Sequence, residues 1–119
     1  MTWDIEYTDE FAHWWYILPP EQQDDIASMV KLLEEKGTRL PFPYSSNIKS
    51  SKHSHLRELR IQSRGNPIRI FYAFDPRRTA ILLIGGDKTG DDRFYKTYVA
   101  IADRLYDEYL LELKQEGLI

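Results

Sequence analysis

Three charged side chains alternate with apolar residues so that all three belong on one face of a predicted sheet. Glu58 and Arg60 lie two residues apart in LRELRI, and Arg69 lies in IRIF on the next predicted strand. Because side chains of a strand point alternately to opposite faces, these three point away from their apolar neighbours. They suit phosphoryl transfer without a metal, in which a carboxylate moves a proton and guanidiniums stabilise phosphate oxygens. They equally suit a ladder of ion pairs on a solvated sheet face.

Further candidates lie in the segments before and after these strands. Lys88 follows the last predicted strand and Tyr95 opens the next helix, so we expect both to lie near Glu58. Tyr95 is a useful acid at neutral pH only if a cation such as Lys88 lowers its pKa. The general base is predicted to be Glu58 or, failing that, His53 or His55. Side chains predicted to bind a phosphate backbone are Lys49, Lys52, His53, His55, Arg57 and Arg64.

The distribution of charge along the chain supports an anion-binding surface. The net charge of the chain is -3, but residues 1–48 carry -6, residues 49–78 carry +6 and residues 79–119 carry -3. A basic block between two acidic flanks predicts that one surface meets an anion such as a phosphate backbone. The alternative is that these charges are solvated sheet residues without a binding role.

The elements that must position these residues follow from periodicity and turn signals. Alternation over 2–7 predicts a strand, and apolar spacing on either side of Pro19 and Pro20 predicts a helical hairpin that ends at Gly37. A loop is expected over 38–54. Strands over 55–62, 68–74 and 79–84 should form an antiparallel meander, followed by a helix over 92–113. The 119 residues therefore predict a single α+β domain, with the hairpin and the C-terminal helix on one face of a small sheet.

Composition excludes several classes of protein and site. The chain has no cysteine, which excludes disulfides and thiolate chemistry and is compatible with a reducing cytoplasm. Neither a signal peptide nor a membrane-spanning run is expected, so we predict a cytoplasmic protein. The pair His53 and His55 lacks further ligands at suitable spacing, so neither a metal site nor a cofactor is predicted.

Three sequence words carry a resemblance that extends over nearly the whole chain. LRELRI, RIFYAFDP and GGDKTGDDRFY, together with the opening WDIEYTDEFAHWWYILP, resemble the phage-derived HigB-like toxins of type II toxin-antitoxin systems, a branch of the RelE superfamily. The resemblance implies a RelE-like fold and an endoribonuclease that cuts messenger RNA, usually on the translating ribosome. It further implies neutralisation by a helix-turn-helix antitoxin, HigA-like, encoded beside it.

The resemblance also implies roles for individual residues. Arg69 matches the arginine that contacts the scissile phosphate, and Arg60 falls where RelE-like enzymes place a basic residue. Lys88 and Tyr95 fall near the family's cation after the last strand and its substrate-contacting tyrosine. Glu58 departs from the pattern, because the RelE prototype has a lysine there. The implied reaction is attack of a ribose 2'-hydroxyl on its own 3'-phosphate, giving a 2',3'-cyclic phosphate without a metal.

Two other interpretations remain open at this level. One is a non-catalytic RelE-fold module that binds an antitoxin or RNA, which the acidic net charge and Glu58 favour. The other is a bare DNA-binding domain, which is disfavoured because no predicted helix carries a basic recognition face.

Overall fold

The computed structural model describes residues 2–119 and arranges five strands in one sheet. The strands lie in the order β1-β5-β4-β3-β2, with β1 parallel to β5 and the other neighbours antiparallel. The predicted α+β class and the antiparallel meander are confirmed. In chain order the elements are β1 (Asp4–Tyr7), α1 (Asp9–Tyr16), α2 (Pro20–Lys36), β2 (Ser45–Asn47), β3 (Arg57–Ser63), β4 (Asn66–Phe74), β5 (Thr79–Asp87) and α3 (Phe94–Gln115).

The helical hairpin begins and ends at the residues that its sequence signals indicate. The Thr8 hydroxyl accepts a hydrogen bond from the Phe11 backbone N–H at 3.0 Å, which caps α1. Gly37 caps α2 with a φ of +56°, and a Cβ there would lie 2.0 Å from the indole of Trp3. Glycine is therefore required at this position by both its backbone conformation and the contact with Trp3.

The expectation that all helices pack on one face of the sheet is wrong. The hairpin packs on the face formed by Ile68, Ile70 and Tyr72, whereas α3 packs on the opposite face with Phe71 and Ala73. The physical reason is that β4 over 70–74 and β5 over 80–84 have apolar residues on both faces, so each strand needs cover on both sides. The sheet therefore lies between two helical layers, and α3 covers part of the face predicted to be open.

Two sequence expectations about strand bounds also need correction. The segment predicted as a loop over 38–54 contains the short strand β2, which pairs Ser46 with Glu58 of β3. β5 does not stop at Ile84 but continues through Gly85 and Gly86 to Asp87. A Cβ on Gly85 would meet the Trp14 ring and one on Gly86 would meet Tyr98, so both glycines permit close packing on opposite faces.

Candidate active site

The candidate active site lies on the α3 face of the sheet, near the first residues of that helix. Arg60 of β3 lies directly opposite Arg69 of β4, which in turn lies opposite Gly86 of β5. Glu58 precedes Arg60 by two residues and therefore shares its face. Tyr95, in the first turn of α3, reaches down to Glu58. The convergence of Glu58, Arg60 and Arg69 predicted from strand alternation is confirmed, as is the expected position of Tyr95 beside them.

Glu58 is the centre of this cluster, and both of its carboxylate oxygens are occupied. Oε1 accepts a hydrogen bond from the Tyr95 hydroxyl at 2.7 Å, and Oε2 accepts one from the Ser46 hydroxyl at 2.7 Å. Arg69 Nε lies 3.5 Å from Oε1 and Arg60 Nη1 lies 3.5 Å from Oε2. The Glu58 side chain is only 6% exposed. This geometry suits a carboxylate that holds its neighbours in place better than one that reaches out to a substrate.

The two arginines keep hydrogen-bonding capacity that the protein does not use. Arg69 is buried and donates from Nη1 to the carbonyl of Ile68 at 3.0 Å. Its Nε is buried and finds no hydrogen-bond partner anywhere in residues 2–119. Arg60 is half-buried, so its guanidinium can still reach solvent. Arg69 Nε faces only the Glu58 carboxylate at 3.5 Å, too far for a good hydrogen bond, so the ion pair satisfies this buried donor poorly.

Lys88 and Tyr95 have shifted pKa values in opposite directions. Burial lowers the pKa of the Lys88 ammonium, and repulsion from Arg69 lowers it further. Burial raises the pKa of the Tyr95 hydroxyl, and its hydrogen bond to the Glu58 carboxylate raises it again. The Lys88 Nζ lies 5.5 Å from the centre of the Tyr95 ring. The cations near Tyr95 thus do not make it the acid that the sequence suggested, because the carboxylate and burial outweigh them.

The basic loop before β3 does not join this cluster. Lys52 and His53 both pair with Asp107 of α3, and the His53 ring lies edge-on to Tyr106. Asp107 lies twelve residues after Tyr95, which corresponds to about 18 Å along a helix. The Lys52 charge is therefore balanced by α3 at a distance from Glu58, and His53, which contacts the same carboxylate, is not placed to act as the general base.

The other predicted RNA-binding residues are dispersed over the surface. His55 lines a shallow cavity with Arg57 and Phe74 at the far end of β4 from Arg69. Arg57 is directed to the hairpin face and donates to the Ser45 hydroxyl at 2.9 Å. Lys49 is exposed in the loop before β3, and Arg64 is exposed in the β3–β4 turn beyond Arg60. The structure brings together the five residues predicted to be catalytic and does not bring together those predicted to bind RNA. The roles of both sets remain predictions.

Two contacts of the cluster had no usable signal in the sequence. Ser46 lies in the Ser-Ser-Asn segment, which predicts a loop, and it reaches Glu58 only because β2 pairs with β3. Phe42 lies in a proline-rich loop, and the Arg60 guanidinium lies 5.2 Å from the centre of its ring. Both contacts join residues that are distant in sequence, so no local pattern of residue types indicates them.

Residues 2–119 contain neither a metal-binding cluster nor a membrane-spanning helix. No group of three or more histidine, aspartate or glutamate side chains in this part of the chain is arranged to hold a metal ion. None of the helices described is both long enough and apolar enough to cross a membrane.

Comparisons with known proteins agree with the fold and extend it. Residues 13–107 match the family described as phage-derived Gp49-like proteins. The chain is 37% identical over 102 residues to HigB3 of Mycobacterium tuberculosis, described as a candidate toxin, and the aligned region covers 85% of this chain and 88% of that protein. The chain is 32% identical over 115 residues to a second candidate toxin, HigB2 of the same organism, and that alignment covers 95% of this chain and 56% of that protein.

The solved structures agree with the same assignment at the level of fold. A chain of the toxin-antitoxin complex RelBE2 of Mycobacterium tuberculosis superposes with a TM-score of 0.55 at 17% identity. The superposition covers 73% of this chain and 99% of that chain. The predicted RelE-like fold and the predicted resemblance to HigB-like proteins are confirmed.

Proposed function

The chain belongs to the phage-derived Gp49-like family and is a HigB-type toxin of a toxin-antitoxin system, and we propose that it acts as an endoribonuclease on messenger RNA. The observation that carries the proposal is the charge balance at the sheet. Two guanidiniums and one ammonium surround a single carboxylate, and the 3.5 Å ion pair with Glu58 leaves Arg69 Nε without a hydrogen bond within residues 2–119. Such a site favours a phosphate, which balances the excess positive charge and accepts from the partly exposed guanidinium of Arg60.

The proposed reaction is attack of the ribose 2'-oxygen on the adjacent phosphorus. The new bond joins the 2'-oxygen to phosphorus while the bond from phosphorus to the 5'-oxygen breaks, leaving a 2',3'-cyclic phosphate and a 5'-hydroxyl. Arg60 and Arg69 hold the non-bridging oxygens, where charge builds up in the transition state. They supply positive charge from the protein itself, so the proposed reaction uses no metal.

Lys88 is the side chain that we assign to proton transfer. Its pKa is lowered by burial and by Arg69, so its neutral amine is more populated than that of an ordinary lysine. In the neutral form it takes the proton of the 2'-hydroxyl, and solvent water protonates the leaving 5'-oxygen. The amine lies beside the Tyr95 ring, close to the arginines that hold the phosphate.

Glu58 and Tyr95 position the other groups in this proposal. Each oxygen of Glu58 already accepts a hydroxyl hydrogen bond, and the side chain is nearly inaccessible. The Tyr95 hydroxyl donates a hydrogen bond to Glu58, and its raised pKa keeps the proton on the tyrosine oxygen. Glu58 therefore aligns Arg60, Arg69 and Tyr95 through a shared carboxylate.

The proposed partners rest on the same family assignment. The RelBE2 chain was solved in a toxin-antitoxin complex, and we propose that an antitoxin of the HigA helix-turn-helix type neutralises this chain. The substrate is messenger RNA on the translating ribosome, which places the activity in the cytoplasm. The second candidate function, a non-catalytic module that binds antitoxin or RNA, is favoured by the full occupancy of the Glu58 oxygens.

Induced expression of the chain in a bacterial host tests the proposal. The wild-type protein should arrest growth, and the RNA isolated from the cells should carry 2',3'-cyclic phosphate ends. Arg69→Ala should relieve the arrest while the purified variant keeps its circular dichroism spectrum. Arg104→Ala is the matched control, because Arg104 is exposed and pairs only with Glu108 among the residues described. A folded Arg69→Ala protein that stays fully toxic would contradict the site, and arrest without RNA cleavage would favour the non-catalytic module.

A further inference from the structure

An exposed aromatic ring lies next to the candidate active site in a well-fixed turn. Phe42 is 69% exposed, although the residues on either side of its turn, Leu40 and Ser45, are buried. The backbone N–H groups of Tyr44 and Ser45 both donate to the carbonyl of Pro41 at 3.0 Å. The Arg60 N–H donates to the Tyr44 carbonyl at 2.9 Å, which fastens the turn to β3. The ring is therefore presented to solvent from a rigid position.

The ring of Phe42 lies beside the Arg60 side chain. The Arg60 guanidinium lies 5.2 Å from the ring centre, within the range of a cation-π contact. The ring of Phe42 keeps most of its surface free in spite of this contact. A phosphate held by Arg60 would bring one of its own nucleobases close to this free surface, because a base and its phosphate belong to one nucleotide.

One group of exposed apolar side chains lies at the opposite edge of the sheet from Phe42. Tyr7, Tyr16 and Ile17 are exposed on β1 and at the end of α1, whereas Phe42 and Tyr44 are exposed in the turn that leads into β2. β1 and β2 are the two opposite edges of the sheet. Phe42 is thus separated from that apolar surface and adjoins the cationic site.

We propose that Phe42 is a base-stacking residue, on which a nucleobase next to the scissile phosphate packs while Arg60 holds the phosphate. This inference rests on the proposed ribonuclease function and adds the residue that receives the base. Aromatic rings stack on every base because each base has a π face, so Phe42 provides affinity and alignment with little sequence discrimination. Removing such a platform typically lowers binding about 5- to 150-fold per base.

Cleavage of a defined messenger RNA on programmed ribosomes tests the inference. Phe42→Ala should lower kcat/KM on the order of 10-fold or more, whereas Phe42→Trp should retain most activity because it keeps an aromatic face. The matched control is Tyr16→Ala, which removes an equally exposed ring at the other edge of the sheet and should cleave normally. Thermal unfolding should be unchanged in all three variants, because each replaced ring is largely solvent-exposed.

An abasic nucleotide placed in turn on each side of the cleavage site separates stacking from a general loss of activity. At one of the two positions, the abasic nucleotide should lower the cleavage rate of the wild-type protein about as much as Phe42→Ala lowers it on intact RNA. The same abasic RNA should not lower the cleavage rate of the Phe42→Ala variant any further. Normal cleavage by Phe42→Ala would overturn the stacking assignment while leaving the nuclease intact. Unchanged cleavage with lost binding of the cognate antitoxin would overturn it in favour of a protein contact. A wild-type protein that cleaves no RNA would overturn the proposed function, and the stacking assignment with it.

Discussion

Two clusters of the same residue types lie near the two ends of α3 and differ in how completely their charges are matched. The first joins Glu58, Arg60, Arg69 and Tyr95. The second joins Asp75 and Arg77 at the β4–β5 turn to Tyr109 of α3. Tyr95 and Tyr109 are fourteen residues apart, which corresponds to about 21 Å along the helix.

The Asp75 cluster is closed. Arg77 donates to Asp75 Oδ2 from Nε at 3.1 Å and from Nη2 at 2.9 Å, and the Tyr109 hydroxyl donates at 2.7 Å. Oδ1 accepts the backbone N–H groups of Arg77 and Thr79. Burial opposes ionisation of Asp75, but these hydrogen bonds outweigh it and hold its pKa below the usual range. Every acceptor is used, so the cluster fastens the turn to α3.

The Glu58 cluster is open by comparison. Its ion pairs are 3.5 Å long, two arginines share one carboxylate, and Arg69 Nε has no hydrogen-bond partner in the part of the chain described. A carboxylate, an arginine and a tyrosine in contact therefore do not by themselves indicate a ligand-binding site. A binding site differs from a purely structural cluster in the number of hydrogen-bond donors that have no acceptor once the carboxylate oxygens are occupied.

The largest effect is expected when the closed cluster is broken. Asp75→Ala leaves two backbone N–H groups without their acceptor and leaves Arg77 and the Tyr109 hydroxyl only their longer contacts with Glu6 of β1. The substitution should therefore cost about 3–5 kcal/mol of unfolding free energy. Urea denaturation measures this loss. The folded fraction should cleave RNA normally, because Asp75 lies far from Arg69. An unchanged unfolding midpoint would contradict the structural role assigned to this cluster.

The next effect tests Lys88 as the proton acceptor. Arginine cannot lose its proton at accessible pH, so Lys88→Arg keeps the charge but should reduce the single-turnover rate on the order of 10²-fold or more. For the wild type, the rate should rise with pH, by up to tenfold per pH unit, towards the Lys88 pKa, which is lowered from 10.5. This rise should vanish in Lys88→Arg. Full activity in Lys88→Arg would show that the residue contributes charge alone.

A conservative change at Arg69 tests the unused donors. Arg69→Lys keeps the positive charge but loses the planar set of N–H groups that matches a phosphate. The cleavage rate should fall on the order of 10²-fold, with the variant still folded. The matched change Arg77→Lys in the closed cluster should lower the melting temperature and leave the cleavage rate of the folded protein unaffected. Equal cleavage rates for Arg69→Lys and the wild type would show that the planar N–H groups of Arg69 are not needed to hold the phosphate.

A smaller effect separates Glu58 as a base from Glu58 as a positioning residue. Glu58→Gln removes the counter-ion of two arginines, so stability should fall by about 2 kcal/mol while RNA binding stays equal or becomes tighter. The cleavage rate should fall less than tenfold, because the carboxylate takes no proton in our assignment. Thermal melting, RNA binding and single-turnover cleavage should be measured together. A loss of 10²- to 10⁴-fold in rate without a change in stability would restore Glu58 as the general base.

The smallest effect is a gradual dependence of stability on pH at the closed cluster. The lowered pKa of Asp75 means that its contribution is present above about pH 3.8 and is lost as pH falls through the lower value in the folded protein. Tyr109 has the opposite sign, since burial and then its bond to Asp75 raise its pKa above 10.0 and its contribution is lost at higher pH. Acid unfolding should lose this dependence in Asp75→Asn. If Asp75→Asn unfolds in acid at the same pH as the wild type, protonation of Asp75 does not control the acid stability of the protein.

Much of the fold is predictable because local residue patterns specify it. Thr8 and Gly37 cap the hairpin where the sequence indicates, and the turns between β3, β4 and β5 follow glycine, asparagine and proline signals. The side on which α3 packs is not local information. It depends on both faces of β4 and β5 being apolar, a signal present in the sequence but interpreted above as a single buried face.

For the candidate site, the sequence alone determined which side chains share a face, because Glu58, Arg60 and Arg69 follow the two-residue period of strands. It also supplied Lys88 and Tyr95 from their places just after the last strand. Only the tertiary structure decided that the Ser46 and Tyr95 hydroxyls occupy the Glu58 oxygens, that Lys52 and His53 pair with Asp107, and that Phe42 adjoins Arg60. The physical reason is that strand period is set by the local backbone, whereas hydrogen bonds, burial and charge pairing depend on which distant segments pack together.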